Sequence, residues 1–154
     1  MAHFAQIDDN GVVLNVIVIN DENCLDDDGN ENEAVGVNFI VNNLKMPGIW
    51  KQTSYNTYAG KHYVDKTLPL DSDNESADQS KALRDNYAEP GGTYNSELDV
   101  FIPPKPHKGW VLVEGNIWKP PHLPPDIAED GSFIEGLPEY KWDDDTLDWV
   151  EHTH

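Results

Sequence analysis

Phe4-Ala5-Gln6-Ile7-Asp8-Asp9-Asn10-Gly11-Val12-Val13-Leu14-Asn15-Val16-Ile17-Val18-Ile19 is the stretch on which the fold class turns. Two apolar-rich runs, residues 4–7 and 12–19, flank Asp8-Asp9-Asn10-Gly11. Asn-Gly supplies the positive-φ residues that a tight hairpin turn needs. Val12, Val13, Val16, Ile17, Val18 and Ile19 are β-branched and suit strands. The stretch therefore predicts a β-hairpin. Its second run is apolar on both faces, which predicts a strand inside a sheet rather than at its edge.

Outward from the hairpin, residues 21–33 form an acidic, Asn-rich loop. Within residues 33–44, Val37, Ile40 or Val41, and Leu44 recur at helical spacing, and Pro47-Gly48 ends the segment. One short amphipathic helix is expected there, then a strand over residues 50–55. Residues 70–78 are too polar to order themselves by burial and predict a long surface loop.

From residue 81 the character changes. Seven of the eleven prolines fall between Pro103 and Pro125, among three aromatic-bracketed units. A two-residue loop at Glu97-Leu98 places Tyr94 opposite Phe101, and one at Asp145-Thr146 places Trp142 opposite Trp149. A three-residue loop centred on Glu114 places Trp110 opposite Trp118, with Gly115 left-handed. Cross-strand aromatic pairs contribute roughly 0.2–1 kcal/mol each, and the prolines that follow the first two units stop their strands. The expected architecture is mainly β with one short helix (α+β). An N-terminal hairpin and sheet body (1–66) and an acidic surface loop (67–80) precede a string of aromatic hairpins joined by proline-rich extended segments (81–151). Isolated hairpins are marginal in water, so this arm must pack on the body or on another molecule.

Composition narrows the function. The chain has 154 residues, 29 acidic against 10 basic, and a formal net charge of −19. Such a chain lacks the Lys and Arg that phosphate binding needs, which argues against nucleic acid and anionic membranes as partners. No apolar run approaches the ~18–20 residues of a membrane span, and the first residues lack the basic and apolar regions of a signal peptide. Cys24 is the single cysteine, so no intrachain disulfide can form.

The acidic runs invite a calcium reading, but EF-hand spacing fails at both Gly29 and Gly131; solvated surface charge is the expected role. The histidines at 3, 62, 107, 122, 152 and 154 lack zinc-motif spacing. Cys24 sits in an acidic stretch that opposes thiolate formation. No nucleophile elbow, phosphate-cradling glycine loop or His-Glu-x-x-His occurs. A non-enzymatic protein with no cofactor and no metal is expected. The aromatics Tyr94, Phe101, Trp110, Trp118, Trp142 and Trp149 are the candidate partner-binding residues, since Trp and Tyr are enriched at binding hot spots. They also suit two other roles: a sugar-stacking platform, or simply the apolar content of small hairpins.

These residues resemble something specific. The opening Met1-Ala2-His3-Phe4-Ala5-Gln6-Ile7-Asp8-Asp9-Asn10-Gly11-Val12-Val13 is similar to the start of small virion structural proteins of marine tailed bacteriophages, the cyanophage type. The likeness continues through Trp50-Lys51-Gln52-Thr53-Ser54-Tyr55-Asn56, Leu83-Arg84-Asp85-Asn86-Tyr87-Ala88, Phe101-Ile102-Pro103-Pro104-Lys105-Pro106 and Trp110-Val111-Leu112. It ends with residues 140–151. The chain departs after Ala88, where Glu89-Pro90-Gly91-Gly92-Thr93 replaces Gly-Ile-Gly and puts a local strand in question. The resemblance implies a structural particle component with no catalytic residues. The expected partners are the phage major capsid protein or other virion proteins, with self-association left open. Its expected place is the outer surface of the head, as a decoration (cement-type) protein made in the host cytoplasm. A tail or tail-fibre accessory and a host-glycan-binding module are the alternatives.

Overall fold

In the computed structural model, which describes residues 1–152, the opening hairpin is β1 (Ala2–Ile7) and β2 (Val13–Ile19), antiparallel from Ala2↔Ile19 to Ile7↔Val13. Asp8 builds its turn: Oδ1 accepts the N–H groups of Asn10 and Val12, each at 2.9 Å. β3 (Ile49–Thr53) pairs antiparallel with the other side of β1, giving the order β2-β1-β3.

The expectation that β2 lies inside the sheet is therefore corrected: β1 is central and β2 is an edge. Its two-sided apolar pattern has a different cause, because both faces of the sheet are covered. On one face Ile17 and Ile19 pack with Ala2, Phe4, Cys24, Ile40 and Trp50. On the other, Val13 and Val16 pack with Ala5, Ile7, Ala88 and Phe101.

The first face is covered by α1 (Glu33–Asn38), which runs on through a π-helical turn, Phe39–Asn43. Asn32 Oδ1 caps the helix by accepting the Val35 N–H at 3.3 Å. Gly36 lets the helix reach the sheet, since a Cβ there would stand 2.4 Å from Phe4 Cζ. The architecture is mainly β with this single short helix.

Short ladders follow: β4 (Thr57–Tyr58) with β5 (Lys61–His62), β6 (Thr93–Asn95) with β7 (Val100–Ile102), β8 (Val111–Val113) with β9 (Ile117–Lys119), and β10 (Tyr140–Asp143) with β11 (Asp148–Glu151). Residues 67–80 are a surface loop, but polar side chains give it structure that hydrophobic burial could not. Asn74 Nδ2 donates to the Asp65 and Pro69 carbonyls at 2.8 and 3.1 Å, and Gln79 bonds both the N–H and the C=O of His62.

The chain divides into two compact units. The first is Met1–Pro104 with Glu114–Ile117; the second is Lys105–Val113 with the residues from Trp118 onward. Composition alone placed a boundary near residue 81. Instead, residues 81–104 belong to the first unit, because Ala88 and Phe101 complete the sheet's second core.

The outer edge of β3 is closed by charge. Glu33 Oε2 accepts the Gln52 N–H at 2.6 Å, and Arg84 Nη1 donates to the Gln52 carbonyl at 2.7 Å. Arg84 also bonds Glu33 through Nη1 and Nη2, and Asp99 Oδ1 through Nε at 2.7 Å. Burial opposes the guanidinium charge, but the bonds to Glu33 and Asp99 outweigh it and raise its pKa. Burial likewise pushes the Asp99 carboxyl up, yet hydrogen bonds from Arg84 and Tyr94 win and hold it below the usual range. Arg84→Ala leaves the Gln52 carbonyl without its donor and Glu33 and Asp99 without their cation, and should cost about 1–3 kcal/mol, read by urea unfolding. The Asp99 contribution is present above its unfolded pKa, near 3.9, and is lost as pH falls through the lower folded value. Acid unfolding of the Arg84→Ala variant should accordingly show a shallower pH dependence there.

Candidate functional site

The aromatic candidates divide between the units. Tyr94 and Phe101 are cross-strand partners as expected, with ring centroids 5.3 Å apart. The loop between them is four residues rather than two, with Asn95 Oδ1 accepting the N–H groups of Glu97 and Leu98 and Asp99 left-handed at φ 55°. Phe101 is buried in the core of the first unit, so it cannot also be a docking surface. Tyr94 donates its hydroxyl to Asp99 and lies beneath the Lys51 and Arg84 cations.

The second unit holds the other four. Trp142 and Trp149 face each other across β10 and β11, edge to face at 5.4 Å. This hairpin uses the same four-residue turn: Asp143 Oδ1 accepts the Asp145 N–H, and Leu147 is left-handed at φ 55°. Trp110 meets Trp142 edge to face at 6.3 Å, and His107 packs on Trp110 at 5.0 Å. Trp142 Nε1 donates to the Lys108 carbonyl at 2.9 Å and Trp149 Nε1 to the His122 carbonyl at 2.8 Å. These two bonds anchor the hairpin to the proline-flanked segments at 105–109 and 120–125. Among the described residues, the buried Nε1 of Trp110 has no hydrogen-bond partner.

The expected Trp110–Trp118 pair is not formed. Gly115 and Asn116 are both left-handed, at φ 83° and 57°, and β8 ends at Val113 while β9 begins at Ile117, so the turn is centred on Gly115. Trp110 is left outside β8 and joins Trp142 instead. Trp118 lies beneath the Lys105 ammonium, 5.2 Å from the ring centroid.

Around this cluster runs an open groove of about 600 Å³, lined by His107, Trp110, Tyr140, Lys141, Trp142, Trp149 and His152. Several apolar side chains of the second unit are exposed, among them Phe133, Ile134 and Leu137. Val111, Leu112 and Val113 are all exposed, as is every residue from 131 to 139, including Phe133 at 79 %. Among the described residues of the second unit, Trp142 is the one apolar side chain that is buried.

The acidic runs act largely as turn builders. Asp26 Oδ1 accepts the N–H groups of Asp28 and Asn30, repeating the Asp8 arrangement. Among the described residues, no three His, Cys, Asp or Glu side chains are grouped to hold a metal ion. Cys24 is buried; burial, then Glu31 and Asp21, raise its thiol pKa, which disfavours the nucleophilic form.

Sequence reasoning missed the structural centre of the first unit, Asn86. Its Nδ2 donates to the carbonyls of Phe101, Gly115 and Asn116, each at 3.0 Å, and its Oδ1 accepts the Ala59 N–H at 2.9 Å. A polar residue between Asp85 and Tyr87 carries no periodic signal that marks it as buried. Residue type likewise does not mark His107, Tyr140, Lys141 and His152 as groove residues.

Comparison with protein-family models, curated proteins and solved structures finds no match to this chain.

Proposed function

We propose that this chain is a non-enzymatic structural protein of a phage virion, a decoration protein on the outside of the head that docks on the major capsid protein through its second unit. The observation that carries the reading is the second unit's shortage of core. One buried indole cannot offset the ordering entropy of a segment this long, and units this small are usually completed by disulfides, metals or a partner. A single cysteine and the lack of a metal-ligating cluster among the described residues leave the partner.

The apolar surface of the second unit is exposed with the whole chain present, so it is available to a neighbouring polypeptide. The −19 charge suits an outward-facing position, since a surface turned toward packaged DNA would be repelled. The sequence resemblance to cyanophage virion proteins points the same way. Many weak contacts on a repetitive shell sum through avidity. The sugar-platform alternative is less favoured, because the indoles pack edge to face on one another rather than presenting one flat surface.

The test is co-sedimentation of the purified chain with undecorated heads of the phage that encodes it. Leu112→Asp with Phe133→Asp changes two exposed side chains, and the doubly substituted chain should keep its fold. Its affinity for heads should fall at least about tenfold, the loss expected when about 1.4 kcal/mol of contact is removed. Full-strength binding by that variant, or no binding by the wild-type chain, overturns the proposal.

A further inference from the structure

Of the two outer edges of the three-stranded sheet, one is closed and the other is open. The closed one is β3, where Gln52 turns its N–H and C=O away from β1 toward Glu33 and Arg84. That observation fixes the direction of every backbone group in the sheet, because both polar groups of a strand residue point to the same side and alternate along the chain. Gln52 lies opposite Phe4, so Phe4 bonds toward β2. Its partner there is Ile17, which therefore bonds toward β1, as do Asn15 and Ile19. Val16 and Val18 are left pointing outward.

Ahead of them, Val13 is already occupied: it donates to the Gly92 carbonyl and accepts from the Gly91 N–H, both at 2.9 Å. The irregularity opposite Gln6 and Ile7 separates Val13 from the regular run. Beyond it, Val16 and Val18 make no outward hydrogen bond among the described residues, and Val18 is 47 % exposed.

Natural proteins blunt such an edge with Lys, Pro or an inward charge. Residues 12–19 contain none of these and carry no charge, in a chain whose net charge is −19. We propose that this edge pairs with the same edge of a second copy, antiparallel across a two-fold axis at Ile17. In that register Val16 of each copy faces Val18 of the other, and the two pairs exchange four N–H···O=C bonds. Val covers Val on one face, and Ile17 meets Ile17 on the other. No other antiparallel register of β2 with itself uses both outward residues twice: centring on Val16 sets Val18 against Leu14 at the irregularity, and centring on Val18 sets Val16 against Asn20, whose carbonyl already accepts the Asn23 N–H.

Charge argues for a copy meeting at this place. Two chains of −19 repel everywhere that carboxylates face each other, and an uncharged strand is where they can approach. The ladder is short and buries less than the roughly 1,000 Å² of a stable interface. The dimer is consequently weak, and salt, by screening the repulsion, strengthens it.

Two measurements on the full chain test this. Under mild oxidation Ile17→Cys should form a covalent dimer, because non-hydrogen-bonded partners across antiparallel strands stand close enough for a disulfide. Leu14→Cys, more exposed but facing Asn20 of the other copy in this register, should crosslink at least about tenfold more slowly. In sedimentation equilibrium at high protein concentration, the wild-type average mass should rise toward the dimer as salt increases, and Val18→Lys, at an exposed position, should remain monomeric. Equal crosslinking rates for the two cysteine variants overturn the two-fold register. A wild-type chain that stays monomeric at every salt concentration shows that the edge is not a self-contact and overturns the proposal outright.

Discussion

A chain cut after Lys119 should remain folded and, on the proposed function, lose its binding to phage heads, while a chain cut after Asp99 should not fold at all. The first cut removes β10 and β11 with Trp142 and Trp149, and with them the aromatic cluster of the second unit. It leaves both cores of the sheet untouched. The second cut removes Phe101, which is 1 % exposed and sits on Ala5, Ile7 and Val13. Losing a buried phenylalanine costs about 3–5 kcal/mol. The same cut removes all three carbonyls that Asn86 binds, and the β7 strand that pairs with β6. Against a total stability of about 5–15 kcal/mol, those losses are decisive. Circular dichroism with thermal unfolding separates the two truncations, and co-sedimentation with heads measures the loss of docking. A folded product from the shorter chain would show that the first unit ends earlier than residue 104.

Asn86→Asp should be the most damaging single substitution. Asn86 is 2 % exposed, and its amide nitrogen serves three carbonyl oxygens. An ionised carboxylate there sets a negative charge against three acceptors and leaves each of them unpaired. An unsatisfied buried group costs about 1–3 kcal/mol, so the variant is expected to be largely unfolded at pH 7. The pH dependence identifies the cause. The introduced carboxyl must have a folded pKa above its unfolded value, so the penalty is full at high pH. It is relieved as pH falls through the folded pKa toward the unfolded one, because the protonated acid again donates one bond. The variant's melting temperature should therefore rise between pH 7 and pH 5. Asn86→Ala, which has no carboxyl to protonate, should show no such recovery. Identical pH profiles for the two variants would refute the charge argument.

Much of this fold is legible in the residues because its signals are local. Asn-Gly between two apolar-rich runs marks the hairpin, and Val37 with Ile40 or Val41 at helical spacing marks the helix, although Leu44, the last residue of that spacing, lies past its end and is exposed. Aromatic spacing correctly predicts two of the three cross-strand pairs. The third failed over one residue: Asn116 adopts a left-handed conformation, and the turn centre moves from Glu114 to Gly115. A one-residue change at a turn moves the whole ladder. The edge position of β2 was hidden because burial on two faces and pairing on two sides leave the same apolar pattern. The polar centres, Arg84 and Asn86, join segments far apart in sequence, and no spacing rule reports on such long-range bonds. At the aromatic cluster, residue types alone named Trp110, Trp142 and Trp149. The loop residue His107 came to the groove only through the packing of Trp110.

The proposed function requires the second unit to grip another polypeptide of a phage particle. Immunogold labelling of purified mature virions of the encoding phage tests this most directly. Gold distributed over the heads is the predicted result; particles that carry none of this chain would contradict it.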